Sequence, residues 1–423
     1  MNKLLCAASE DIRKVVLANG ATLLTQIMPG SLSVSVGVWV RSGSRDEVEG
    51  ENGITHFLEH MVFKGSKRRS ALDLALAMDR LGGQFDAYTT KELTSFSARV
   101  LAEYSDTAFE TLSELIHDPL FDPEMMALEK QVVLEEIRNV LDEPDDLVFE
   151  FAATEIFGAH PLAGPILGSE DSVSSFTPAD LRDWLTRKYV ARNMIIAVAG
   201  PLSHDELLEK VETSFLLRTG EAQERPGNSL PEVERRIHVV PKDLNQQHIW
   251  IGRLGMSSSH PDRYVLSLLS TLLGGSMSSR LFQAIRERAG LAYNVFNFCD
   301  FASDAGITGT YMAVSPARSE EAIRRVLDEY VKLIVKGCGE DELDDIKMQL
   351  KSNMLLGLEN VTARMYRLAR MELNEGRYIS VQELVDRIDS VGVEDIRRIA
   401  AEYLDPDRQS LISLGPSAST GPF

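Results

Sequence analysis

The chain is predicted to be an α+β protein of two homologous domains, each a mainly antiparallel sheet with helices packed on it. Three observations carry this prediction. Its 423 residues exceed one ordinary core, so two units of about 200 residues each are expected. A helix–strand–Gly-Pro pattern occurs twice, at Asp180 to Gly200-Pro201 and at Asp395 to Gly415-Pro416, offset by 215 residues. Between the copies, residues 218–236 are polar, punctuated by Gly220, Pro226, Gly227 and Pro231, and lack any apolar period. The expected limits are therefore 1–217 for the first domain, 218–236 for a linker and 237–423 for the second domain.

The elements follow in chain order. Val36-Gly37-Val38-Trp39 reads as a strand, and Ile251-Gly252-Arg253-Leu254 lies over it at the same offset. Residues 83–100 read as a hairpin and the run from Pro123 to about Leu141 as a helix. An amphipathic helix opens at Asp180 and passes Leu181, Trp184 and Leu185, then leads into the continuous apolar strand 194–199. In the second half, 280–290 reads as a basic amphipathic helix with Gly290 as its C-cap, and 291–314 as a second hairpin. A last helix from Asp395 through Ile396, Ile399 and Tyr403 feeds the strand 411–414.

Composition removes several function classes. With 64 Asp+Glu against 44 Lys+Arg the formal charge is −20, so no basic face for nucleic acid is expected. That charge serves solubility, and an acidic interior would also attract basic ligands. The longest apolar run, 194–199, has 6 residues, whereas a membrane span needs about 20. Cys6, Cys299 and Cys338 are scattered and odd in number, which excludes a disulfide framework or a Cys-rich zinc module. The residues before the acidic Glu10-Asp11 are too few for the apolar core of a signal peptide, so a cytoplasmic protein is expected.

The most informative segment is His56-Phe57-Leu58-Glu59-His60. On a helix, positions i, i+3 and i+4 share a face, so His56, Glu59 and His60 point one way while Phe57 and Leu58 turn toward packing. Two imidazoles one turn apart suit a single zinc ion, and a catalytic zinc takes three protein ligands. The third should be a carboxylate from another element. His117, His160, His204, His238, His248 and His260 have no metal-like spacing and receive no role. The helix beginning at Pro123 offers Glu129, Glu135 and Glu136, and Glu129, Val133, Glu136 and Val140 form one helical stripe. Carboxylates in such a stripe are costly to bury without a positive partner. Spacing alone does not choose between Glu135 and Glu136.

The order H-x-x-E-H is the inverzincin signature. The strings GITHFLEHMVFKGS, LGGQFDAYTTKELTSF, EKQVVLEEI and HPLAGPILGSED resemble the insulysin, pitrilysin and mitochondrial processing peptidase family, and the similarity spans almost the whole chain. The resemblance implies a zinc endopeptidase with one zinc per chain, held by His56, His60 and Glu136. It makes Glu129, at the head of an E-x6-E pair, a partner of the ligands, and Glu59 the general base. It casts Asp86, Ala87 and Tyr88 as substrate-binding residues on an edge strand, with Asp86 where the family usually has Asn. Arg286 and Tyr293 match an Arg/Tyr pair that contacts the substrate backbone and the developing oxyanion. At the offset of 215, His56 falls on Thr271 and His60 on Gly275, so no second zinc site is expected. The resemblance further implies a homodimer closing like a clamshell around peptides, and the acidic charge would favour basic ones among them. Some relatives are instead catalytically silent subunits, and retention of the full residue set argues for the enzyme.

Overall fold

The computed structural model describes residues 10–215, 217–222, 225, 230, 235–416 and 423. It divides into two compact α+β units. In the first, β1 (Ile12–Val16), β2 (Thr22–Ile27), β3 (Ser33–Val40), β4 (Gln84–Thr89), β5 (Thr94–Leu101) and β6 (Met194–Gly200) form a six-stranded sheet in the order β1-β2-β6-β3-β5-β4. In the second, β7 (Ile237–Pro241), β8 (Gln247–Gly255), β9 (Ala292–Phe301), β10 (Gly306–Val314) and β11 (Ser410–Gly415) follow the order β7-β11-β8-β10-β9. Each sheet has one parallel pair, β2 with β6 and β7 with β11, and is otherwise antiparallel. The second order repeats the first with β1 removed, so the duplication is one of topology as well as of sequence.

The continuous apolar run of β6 is explained by burial on both faces. Met194, Ile196 and Val198 join a core with the helices of their own half, while Ile195, Ala197 and Ala199 meet Val361, Met365, Leu368 and Ala369 of the helix Val361–Glu375. Each large side chain so buried stabilises by about 1.5–3 kcal/mol. The second sheet is covered in the reciprocal way. Ile249, Ile251, Met312 and Leu411 face its own helices, and Trp250, Tyr311, Ile412 and Leu414 face Leu147, Val148, Ala152 and Ile156 of the helix Pro144–Phe157.

This exchange corrects the contiguous limits 1–217 and 237–423. The first unit comprises described residues of 1–139, 164–227 and 355–380, and the second those of 140–163, 228–354 and 381–423. A sheet with two apolar faces needs two helical layers, and each unit takes one helix of its second layer from the other half of the chain. Much of the expected linker 218–236 lies outside the described residues, as does Cys6; Cys299 and Cys338 are free thiols. Among the described residues no helix is long and apolar enough to cross a membrane.

Candidate metal centre

The helix Ile54–Val62 carries the H-x-x-E-H residues. Phe57, Leu58, Met61 and Val62 are fully buried in the first core, so the opposite face, with His56, Glu59 and His60, is presented outward. Its start is held by Glu47, whose carboxylate accepts from the Gly53 N–H at 2.7 Å and the Thr55 N–H at 3.0 Å. Burial pushes the Glu47 carboxyl up to about 8, against these two hydrogen bonds, which pull it down. Gly53 has φ +89°, and a Cβ there would collide with the Leu167 carbonyl, so glycine is required at this entry.

The helix Pro123–Asp142 supplies the carboxylates. Asp122 caps it by accepting from the Glu124 and Met125 N–H groups at 2.9 and 3.0 Å, with Pro123 as its first residue. Glu136 Oε2 lies 3.5 Å from His60 Nε2 and 3.8 Å from His56 Nε2. One donor atom from each of the three residues lies within 4.8 Å of the others. Tetrahedral zinc, with ligands at about 2.0–2.1 Å, sets donors about 3.3 Å apart, so the residues present fit the ion. They form the one such group among the described residues. Burial and the adjacent His60 hold His56 down at about 3, in the neutral form a metal ligand must have.

Glu135, by contrast, is exposed and pairs with Arg138 at 3.4 Å. Glu129 is buried and accepts from His60 Nδ1 at 2.8 Å, which leaves Nε2 for the metal side. The positive partner that its burial requires is Lys64, 2.7 Å from Glu129 Oε2. Sequence reasoning missed Lys64; its place one turn after His60, at i+4, was the available signal. Replacing Lys64 by Met is expected to leave Glu129 with an uncompensated charge and to lower zinc affinity about tenfold, read by competition with a chelating dye. A zinc affinity equal to wild type would remove Lys64 from the support of the site.

Glu59 stands beside the three ligand candidates and outside their group. Burial pushes its carboxyl above the usual range; a hydrogen bond from Thr89 and the nearby His60 pull it down, while Glu136 and Asp86 push it up. Thr89 Oγ1 donates to Glu59 Oε2 at 2.6 Å. This contact too was absent from the sequence reading, although Thr89 follows Ala87 by one strand period.

Thr89 ends β4, the edge strand of the first sheet, which pairs with β5 alone. The Thr90 N–H bonds the Leu93 carbonyl at 2.8 Å. In the regular register, bonded pairs then recur at Tyr88↔Ser95, Asp86↔Ser97 and Gln84↔Arg99. The backbone groups of Phe85, Ala87 and Thr89 therefore face the free edge. The side chains of Asp86, Ala87 and Tyr88 do not share a face. Phe85 and Ala87 pack on the core beside the Ile54–Val62 helix, whereas Tyr88 meets Trp39 and Tyr366 on the other face and Asp86 is exposed.

Arg286 and Tyr293 belong to the second unit. The expected α-helix is there a π-helix, Phe282–Glu287, with Arg288 N–H bonded to the Gln283 carbonyl. The Arg286 guanidinium lies 4.4 Å from the Tyr293 ring centre and 4.7 Å from that of Phe282, and its Nη1 donates to the Tyr293 carbonyl at 3.2 Å. Tyr293 is 79% exposed. The two residues are thus brought together, with the phenol free in solvent.

Two family models match the chain: Insulinase (Peptidase family M16) over residues 23–170 and Peptidase M16 inactive domain over 175–350. An uncharacterized zinc protease of Mycobacterium tuberculosis is 36% identical over 98% of this chain and 95% of its own length. The uncharacterized zinc protease YmxG of Bacillus subtilis is 34% identical over 96% of this chain and 99% of its own. A crystal structure of a protease from Helicobacter pylori superposes with a TM-score of 0.91 at 23% identity, covering 96% of this chain and all of that one (100%). The peptidase M16 inactive domain of Pseudomonas fluorescens gives the same TM-score, 0.91, at 21% identity, over 97% of this chain and 100% of its own.

Proposed function

Because the chain belongs to the insulinase family, peptidase family M16, we propose that it is a zinc-dependent endopeptidase acting on peptides or unfolded segments. The observation that carries this reading is the convergence of His56, His60 and Glu136 with Glu59 beside them. A zinc ion, when bound, would polarise the scissile carbonyl and lower the pKa of the attacking water toward about 7. His56, His60 and Glu136 would hold it, while Glu129 and Lys64 keep the His60 ring oriented. Glu59 takes the proton of the attacking water and returns it to the leaving amine. The free edge of β4 receives an extended peptide through main-chain hydrogen bonds, which bind with little demand on sequence.

Arg286 and Tyr293 are the proposed contacts to the substrate backbone and to the developing oxyanion. The reading extends to a cytoplasmic homodimer enclosing its substrate, with basic peptides favoured by the acidic balance of the chain. A silent peptide-binding subunit is the second reading, prompted by the family description of residues 175–350 as an inactive domain. That stretch leaves out His56, Glu59, His60 and Glu136, so the inactivity it describes does not concern the metal centre.

The test is turnover of a quenched mixed-peptide library by the purified chain. One zinc per chain is expected, with cleavage lost on chelation and regained when zinc returns. A zinc-loaded chain that binds peptides and cleaves none would establish the silent subunit.

A further inference from the structure

We propose that Thr89, on the strand whose free edge takes the substrate, is a positioning residue for Glu59; this rests on the peptidase reading above. Thr89 bears on both the base and the free strand edge. Its hydroxyl donates to Glu59 Oε2 at 2.6 Å, and its backbone groups lie on the free edge of β4. Among the described residues it is the hydrogen-bond donor to Glu59. A glutamate side chain has several rotamers to lose, and a single bonded oxygen restricts them while leaving Oε1 for the water proton. Threonine suits the task because its branched Cβ makes χ1 stiff.

Both ends of this hydrogen bond are anchored to one short segment. The Thr90 carbonyl accepts from the Ser44 N–H at 3.2 Å and the Lys91 carbonyl from the Arg45 N–H at 2.9 Å. Within the turn, Thr90 Oγ1 accepts from the Glu92 and Leu93 N–H groups at 3.2 and 3.1 Å. Arg45, itself buried, is 2.6 Å from Glu92. Two residues after Arg45, Glu47 caps the helix that carries Glu59. The segment Ser44–Glu47 therefore ties the end of β4 to the start of the metal helix, which fixes where Thr89 sits relative to Glu59.

The experiment compares Thr89→Val, which keeps the shape and removes the donor, with Thr89→Ser, which keeps the donor. Thr89→Val is expected to lower kcat about 10- to 100-fold, with KM and zinc per chain within about twofold of wild type. Thr89→Ser is expected to restore most of kcat. If Thr89→Val does not fold, Thr89→Ala serves as the donor-free variant. A Thr89→Val enzyme as fast as wild type overturns the assignment. So does a Thr89→Ser enzyme as slow as Thr89→Val, or a loss explained by raised KM or lost zinc, which would mean support of the strand or helix alone. Wild-type protein that cleaves no peptide overturns the peptidase reading and this assignment with it, whereas normal wild-type turnover unaffected by Thr89→Val overturns only the latter.

Discussion

Glu59→Gln is expected to retain one zinc per chain while losing peptide turnover by about 10²- to 10⁴-fold, the range that general acid–base catalysis contributes. Gln matches Glu in shape and can still accept the Thr89 hydrogen bond, but its amide cannot take a proton from water at neutral pH. Glu59 is not one of the three residues whose donor atoms converge, so the metal should stay. Atomic absorption on the dialysed protein and a quenched-peptide assay measure the two quantities separately. Zinc lost in proportion to activity would make Glu59 a ligand; turnover unchanged would remove it as the base.

The second large effect concerns the third ligand. Glu136→Gln should weaken zinc binding by more than the about 10- to 100-fold that an outer partner of a ligand is worth. The carboxylate lost there sits 3.5 and 3.8 Å from the two imidazoles. Glu135→Gln should bind zinc as wild type does, since Glu135 is exposed and its pair with Arg138 is a solvent-screened surface ion pair away from the imidazoles. Adjacent glutamates differing in this way make a controlled comparison within one helix. Zinc stripped by Glu135→Gln and kept by Glu136→Gln would reverse the assignment.

Part of the architecture was legible because it is written in short-range pattern. The run of β6, apolar at every position, announced a strand, and the 215-residue offset announced the repeat. The pattern did not say which helix covers the second face. Val361–Glu375 and Pro144–Phe157 each have an apolar face, and nothing in that face specifies that it lies on the sheet of the other half. Any apolar surface of suitable shape would satisfy it, because the hydrophobic effect is not directional. The domain limits read from the chain were therefore contiguous where the packed units are interleaved.

The same division runs through the site. The sequence by itself determined that His56, Glu59 and His60 share one helical face with Phe57 and Leu58 turned into the core, and that Glu129 and Glu136 share a stripe. Helical periodicity is a local property, fixed by 3.6 residues per turn whatever the surroundings. The match to the family's E-x6-E spacing points to Glu136, which the structure brings to the imidazoles, whereas only the tertiary structure decided that Lys64 balances the buried Glu129 and that Thr89 holds Glu59. Those contacts join elements far apart in the chain. Their geometry follows from how a buried helix face seats against its neighbours, which residue spacing alone does not determine.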